Sequence, residues 1–215
     1  MTNSIGIEIR SILSVIAIGL TFIAYIPYLK GITSGKIQPH VFSWIIWGVT
    51  TCIVFFAQLV GKGGIGAIPI AISGITTLLV ALFAYQKRGE IKITKVDWFF
   101  FILALSSLPF WFYFSSPLAA VMVLSFVDIL GFIPTIRKGY VLPNSEPLGF
   151  YLVFLFRNTL VIFALAEWNL TTILFPGSAG FACLIFVLLV KYRQRQIQNL
   201  QFKYDNHDQS MLGNG

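Results

Sequence analysis

The sequence predicts an all-α integral membrane protein with seven transmembrane helices, and three observations lead to this class. Hydrophobic residues make up 57% of the 215 residues and charged residues only 11%, whereas soluble domains are about half apolar and about a quarter charged. The mean hydropathy is +0.83. Seven apolar runs are each long enough to cross a bilayer, which takes roughly 20 residues. The 21 Phe, 8 Tyr and 5 Trp also exclude a disordered chain.

Each apolar run predicts one transmembrane helix, and short connections join the runs. Aromatic residues such as Trp98, Tyr113 and Trp168 flank them, as interfacial belts require. No small-residue cleavage site follows the first run, which indicates a retained helix. The predicted spans are 11–29, 41–60, 65–85, 97–114, 117–136, 148–166 and 171–190.

The distribution of positive charge predicts the orientation. Twelve Lys and Arg residues lie on the side that holds loops 30–36, 87–95 and 137–138 and the C-terminal segment, and two lie on the opposite side. Cytoplasmic loops carry the excess of positive residues. We therefore expect a multi-pass protein of the plasma membrane with the N-terminus outside and the C-terminus in the cytoplasm. The net charge of +7 is explained by topology, so no nucleic-acid partner is predicted.

Self-comparison indicates an internal repeat at a constant offset of 107 residues. Pro27 matches Pro134, and Pro69 matches Pro176. One offset across three consecutive helices indicates duplication of a three-helix unit, and parallel repeats of this kind occur in transporters. The predicted domains are a first three-helix repeat at 11–85, linker helix 4 with its loops at 86–116, a second three-helix repeat at 117–192 and a flexible cytoplasmic tail at 193–215.

Two segments carry a family resemblance. Residues 24–30 followed by 38–44 resemble a PQ-loop motif, and residues 131–137 with Pro147 resemble its second copy. With the 3+1+3 arrangement, they make the chain similar to the SWEET/PQ-loop superfamily, which includes sugar uniporters and PnuC-type vitamin transporters. The resemblance implies a seven-helix transporter.

Four prolines are predicted at the cytoplasmic ends of helices 1, 2, 5 and 6. They are Pro27, Pro39, Pro134 and Pro147. A proline lacks the backbone N–H and perturbs a helix end. The resemblance implies that the four form the hinge of a cytoplasmic gate, and plain helix termination is the alternative for Pro39 and Pro147.

Helices 2 and 6 carry matching aromatic and polar residues. Spacings of three and four residues keep each set on one helical face, where aromatic rings stack a flat or sugar-like ligand and Thr51 and Asn158 supply hydrogen bonds. Helix packing is the alternative, and Trp44 is expected to be an interfacial anchor. The two sets are Trp44, Trp47 and Thr51 on helix 2 and Tyr151, Phe154 and Asn158 on helix 6. The second set resembles the helix 6 motif of PnuC-type transporters.

Two charged residues lie near the middle of predicted spans, Asp128 in helix 5 and Arg157 in helix 6. Each charge costs about 2.5–3.5 kcal/mol at the centre of an inserted helix. Adjacent antiparallel helices would bring the two to one depth, so we expect an ion pair that belongs to a substrate site. A pair that only fixes helices 5 and 6 together is the alternative.

The sequence thus predicts a transporter that moves a small polar solute (a sugar, nucleoside or vitamin) by alternating access, as a SWEET-like uniporter. One alternative is a proton-coupled carrier of an amino acid or similar metabolite, in which Asp128 titrates; another is a seven-helix receptor on the same fold. No catalytic residues, cofactor or metal site are predicted, because no nucleophile with its base is evident and His40 and His207 lie outside the spans. The expected partners are the solute and the lipid bilayer, and homo-oligomerisation is left open.

The predicted orientation can be tested by labelling. A cysteine introduced at Gly89, with Cys52 and Cys183 replaced, should resist an impermeant thiol reagent in intact cells and react after permeabilisation, because the 87–95 loop is predicted to be cytoplasmic. Labelling of intact cells would reverse the orientation.

Overall fold

The described part of the chain is helical and contains no strand, which confirms the all-α class. The computed structural model describes residues 2–36, 41–87, 95–141, 143 and 148–212. A short 3₁₀ turn at Gly64–Ala67 precedes the third helix. The seven α-helices are α1 (Thr2–Thr33), α2 (Val41–Val60), α3 (Ile68–Gln86), α4 (Lys95–Phe114), α5 (Pro117–Val141), α6 (Leu148–Ala164) and α7 (Leu170–Leu212).

Three segments are long and apolar enough to cross a membrane, which indicates a membrane protein. They are Gly6–Thr33, Gly64–Gln86 and Leu170–Asn199. The outer surface has the matching character, because large apolar side chains such as Val15 and Phe112 are exposed at 67% and 82%. Soluble monomers rarely expose extensive apolar patches. Shorter apolar stretches lie in the other four helices, at Trp44–Val60, Phe101–Phe114, Pro117–Leu130 and Leu148–Ala164.

The helices pack in an order that differs from their order in the chain. Within the described residues, α3 contacts both α1 and α2, which scarcely touch each other, and α7 contacts both α5 and α6 in the same way. Between the two groups, α1 packs on α6 and α2 packs on α5, while α4 lies mainly against α5. Small residues allow this close approach: a Cβ atom at Gly48 would lie 2.5 Å from Leu78 Cδ2, at the α2–α3 contact.

Hydrogen bonds join the α2–α3 and α6–α7 connections at one end of the bundle. The Ala166 amide donates to the Gly63 carbonyl at 2.9 Å, and Asn169 Nδ2 donates to the Gly61 carbonyl at 2.8 Å. We call these four residues the loop clamp. Next to it, Gln58 Nε2 donates to the Thr172 carbonyl at 2.7 Å. The clamp thus joins the two helix groups through two backbone carbonyls, one backbone amide and the side-chain amide of Asn169.

Two helices extend four to five residues beyond the ends predicted from the sequence, 29 for helix 1 and 136 for helix 5. Pro27 lies inside α1, which continues to Thr33, and Pro134 lies inside α5, which continues to Val141. A membrane helix tolerates proline because neighbouring groups satisfy the freed carbonyls, so neither proline ends its helix. Pro39, Pro147 and Gly89 lie outside the described residues. The segment predicted as a flexible tail is helical as far as Leu212.

Gly66 offers a test of the packing at the clamped end. Its missing Cβ would lie 2.5 Å from the carbonyl carbon and oxygen of Ala164 and from the Leu165 nitrogen. Backbone atoms cannot turn aside as a side chain can, so Gly66→Ala should cost about 1–3 kcal/mol of stability. Thermal unfolding in detergent measures the loss.

Gly19→Ala is the matched control, because nothing lies within 4 Å of the added methyl. Alanine is the better helix former by about 1 kcal/mol, so this variant should unfold at the wild-type temperature or above it. Equal melting temperatures for the two variants would contradict the close loop contact.

Candidate functional site

Six aromatic residues from three helices pack into one cluster in the half of the bundle remote from the loop clamp. Tyr25 has its ring centroid 5.5 Å from that of Phe154 and 6.2 Å from that of Trp44. Phe150 stacks on Phe154 at 4.7 Å. We call this the aromatic cluster; its members are Tyr25, Tyr28, Trp44, Trp47, Phe150 and Phe154.

The cluster brings together the predicted aromatic residues of α2 and α6, but not as two facing ladders. Trp47 of α2 and Phe154 of α6 are both members of the cluster. Tyr25 and Tyr28 of α1 lie between them and make ring contacts with aromatic residues of both α2 and α6. Trp44 is buried among these rings, so its assignment as an interfacial anchor is wrong.

Tyr151, which was predicted to share a helical face with Phe154 and Asn158, is not part of the aromatic cluster. Its ring lies 4.3 Å from that of Phe186 on α7. A spacing of three residues on a helix permits two side chains to share a face but does not require it, and the contact with α7 draws Tyr151 to the other side. The α6 contribution to the cluster therefore comes from Phe150 and Phe154.

Arg157 is the largest of the fully buried side chains, with 2% of its surface exposed. Its Nε donates to Thr21 Oγ1 at 3.3 Å, and its Nη1 donates to Asn158 Oδ1 at 2.9 Å. Its Nη2 donates to the Pro69 carbonyl in a short hydrogen bond. Thr21 belongs to α1 and Pro69 to the first turn of α3, so one guanidinium links three helices. We call Thr21, Pro69, Arg157 and Asn158 the polar layer.

Thr51 and Asn158, the two predicted hydrogen-bonding residues, occupy matching local environments. The Thr51 hydroxyl donates to the Trp47 carbonyl at 2.7 Å, and Asn158 Nδ2 donates to the Phe154 carbonyl at 2.9 Å. Each thus bonds the carbonyl four residues earlier, a common alternative for polar residues in helices. Their remaining capacity is the lone pairs of the Thr51 oxygen and, on the Asn158 amide, one further N–H and one further lone pair.

Sequence reasoning missed the polar residues that α1 and α3 contribute. Tyr25 Oη lies 2.7 Å from Thr77 Oγ1, and the Thr77 hydroxyl donates to the Ser73 carbonyl at 2.7 Å. Since Thr77 has one proton, Tyr25 donates to Thr77. The signal available in the sequence was the spacing of Thr21 and Tyr25, which are four residues apart and therefore share one face.

Asp128 does not form the predicted pair with Arg157. Both are described residues, and the partners of the guanidinium are a hydroxyl, a carbonyl and an amide. The cause is the helix order: α7 packs against both α5 and α6 and keeps them from direct contact. Asp128 is half-buried and is an electrostatic neighbour of Cys183 on α7 and of Tyr25 on α1. Among the described residues no group donates a hydrogen bond to its carboxylate.

Within the described residues, no three His, Cys, Asp or Glu side chains lie close enough to hold a metal ion. Cys52 and Cys183 are both free thiols, the first half-buried and the second buried.

Comparisons with protein-family models, curated proteins and solved structures found no match to this chain. The functional argument therefore uses the geometry of the polar layer and the aromatic cluster.

The separation of the two charges can be tested by a double-mutant cycle. Asp128→Asn and Arg157→Gln should show a weaker coupling in unfolding free energy than a pair in direct contact, because the two side chains do not touch and share only Tyr25 as an electrostatic neighbour. Unfolding in mixed micelles by SDS titration supplies the free energies. Recovery of wild-type stability in the double variant would instead indicate that Asp128 and Arg157 form an ion pair.

Thr21→Val with Arg157→Gln is the positive control for this cycle. These two side chains share a hydrogen bond, so their coupling should fall within the range of about 0.5–3 kcal/mol seen for contacting residues.

Proposed function

We propose that this protein is a seven-span transporter that moves a small polar solute across the membrane by alternating access. The observation that carries the proposal is the polar layer, in which Arg157 of α6 hydrogen bonds to Thr21 of α1 and to the Pro69 carbonyl of α3. A buried polar site between two helix groups is where repeat-built transporters bind their substrates.

The lengths of all seven helices support seven crossings. A crossing takes about 17–25 residues. The shortest helix, α6, has 17 residues, and α2 and α4 have 20 each. Because helix 4 would then lie between two groups of three, the two groups would share one orientation in the membrane. The distribution of Lys and Arg places the N-terminus outside and the C-terminus in the cytoplasm of a plasma-membrane protein.

The contact pattern supports two parallel repeats joined by α4. In each group of three, the third helix packs against the first and the second. Exchange of the two groups turns the α1–α6 contact into the α5–α2 contact, and both are present. The matching bonds of Thr51 and Asn158, which stand 107 residues apart in the chain, agree with the same exchange. This arrangement is the one expected from the SWEET/PQ-loop resemblance.

Alternating access requires one end of the bundle to close while the other opens. The loop clamp closes the end that we assign to the outside. At the opposite end, Pro27 and Pro134 lie within the last turns of α1 and α5, where a missing N–H weakens the helix. We propose that these two prolines are the hinge points of the cytoplasmic gate, with Pro39 and Pro147 in the same role.

A proton-coupled carrier is the second candidate, and Asp128 favours it. Its half-buried carboxylate has no hydrogen-bond donor or ion-pair partner among the described residues. Intramembrane carboxylates of this kind occur in proton relays. In such a carrier an imposed pH gradient would concentrate solute inside vesicles, and Asp128→Asn would abolish the concentration but spare exchange at equal pH.

Counterflow in proteoliposomes tests the transporter proposal. The purified protein is first screened against sugars, nucleosides, vitamins and amino acids for solutes that raise its melting temperature. Counterflow is then measured with a radiolabelled form of each such solute. Trp47→Ala should lower exchange about tenfold, the effect of losing about 1.4 kcal/mol of stacking at the site.

Trp98→Ala is the matched control, because Trp98 on α4 is 51% exposed and lies outside the aromatic cluster. It should leave exchange within about twofold of wild type. Binding of a solute without any exchange would identify a receptor on this fold. Equal loss of stability and exchange in Trp47→Ala would assign Trp47 to packing.

A further inference from the structure

Arg157 carries a buried charge for which the described residues supply no counter-ion. The guanidinium stays protonated in proteins, and its three partners are neutral. Neutral acceptors satisfy N–H groups but do not neutralise a charge. Ionisable residues within membranes normally pair with one another or mark a substrate path, and Asp128 is not its partner. Among the described residues, the polar layer therefore gives Arg157 hydrogen-bond acceptors but no negative charge.

The hydrogen bonds of the guanidinium leave donors for an anion. Of its five N–H groups, three donate to Thr21, Asn158 and Pro69, so two remain without an acceptor among the described residues. These donors lie in one plane, and a planar fork of N–H groups suits a carboxylate, which accepts two parallel bonds. Lysine would provide a point charge without this geometry.

The surroundings of Arg157 indicate the rest of the ligand. Its Cζ lies 6.0 Å from the ring centroid of Phe154, and Phe154 in turn contacts Tyr25 and Phe150. A solute whose charged group reaches Arg157 from the aromatic cluster would lie with its body against these rings. Aromatic faces favour flat apolar groups by offset stacking or edge contacts.

We propose that Arg157 binds the carboxylate of the solute, and that the solute is a small organic acid with a flat apolar body. This inference rests on the proposed transport function, because Arg157 is 2% exposed and an anion reaches it only when one gate opens. The bond from Nη2 to the Pro69 carbonyl ties Arg157 to the first turn of α3, directly after the turn that packs on the loop clamp. Binding at Arg157 is thereby connected to the clamped end of the bundle.

The decisive comparison uses benzoate and benzamide, which have the same ring and differ in charge. Benzoate near one hundred times its Kd should raise the melting temperature of the purified wild-type protein by about 5 °C or more, and benzamide should leave it unchanged. Benzoate should also exchange in counterflow and benzamide should not. Equal responses to the two compounds, or no response to benzoate, would overturn the proposal. A response to inorganic phosphate as large as that to benzoate would overturn the assignment of an apolar body.

Variants of Arg157 test whether this residue is the carboxylate-binding group. Arg157→Met should weaken benzoate binding at least about tenfold, and Arg157→Lys should retain a weaker response because it keeps the charge but loses the fork. Arg193→Met is the matched control, since Arg193 also lies over an aromatic ring, that of Tyr140 at 4.7 Å, but outside the polar layer. Unchanged benzoate binding in Arg157→Met would overturn the assignment. If that variant fails to fold, the wild-type comparison and Arg157→Lys still decide.

Failure of this inference is distinguishable from failure of the transporter proposal. Exchange of a neutral solute that is unaffected by Arg157→Met would leave the transporter standing and overturn the carboxylate site. Arg157-dependent binding of benzoate without any exchange would support the site and overturn the transporter.

Discussion

The burial of one guanidinium inside an apolar bundle is the constraint on which the rest of the structure depends. Arg157 stays protonated and is only 2% exposed, so three of its five N–H groups take acceptors within the protein. A hydroxyl of α1, a carbonyl of α3 and the neighbouring amide of α6 provide them. Since the first two acceptors belong to one group of three helices and Arg157 to the other, the requirement of a single side chain holds the two groups in register.

Helix order decides which residues can meet. The third helix of each group packs against the other two, and small residues such as Gly48 and Gly74 let the backbones of α2 and α3 approach. In membranes, close packing and interhelical hydrogen bonds replace the hydrophobic effect as the force that joins helices. The same order places α7 between α5 and α6, which separates Asp128 from Arg157 and leaves neither charge with an ionic partner among the described residues.

The two ends of the bundle are built from different interactions. The loop clamp uses backbone carbonyls and one amide side chain, whose bonds are directional and individually weak. The other half uses ring contacts of the aromatic cluster, which tolerate small displacements because stacking and edge geometries have similar energies. The two ends of the bundle therefore differ in how much displacement their contacts tolerate.

Local pattern was enough to predict the helices. The runs at 41–60 and 97–114 match α2 and α4 to within two residues, because a long apolar run bounded by polar loops has one stable conformation in a bilayer. The pairing of α5 with α6 was predicted from adjacency in the chain and is wrong for Asp128 and Arg157. The position of Tyr25 between α2 and α6 was not predicted, although its four-residue spacing from Thr21 is visible in the sequence.

By itself the sequence determined the all-helical class and the positions of the apolar segments. These properties depend on backbone hydrogen bonding and side-chain polarity, which act over a few turns of helix. Only the tertiary structure decided that α3 and α7 lie between the other helices of their groups, that Tyr25 bridges α2 and α6, and that Arg157 bonds to Thr21 and Pro69. Contacts between helices far apart in the chain depend on how small and large side chains fit across each interface, and one-dimensional spacing carries no information about that fit.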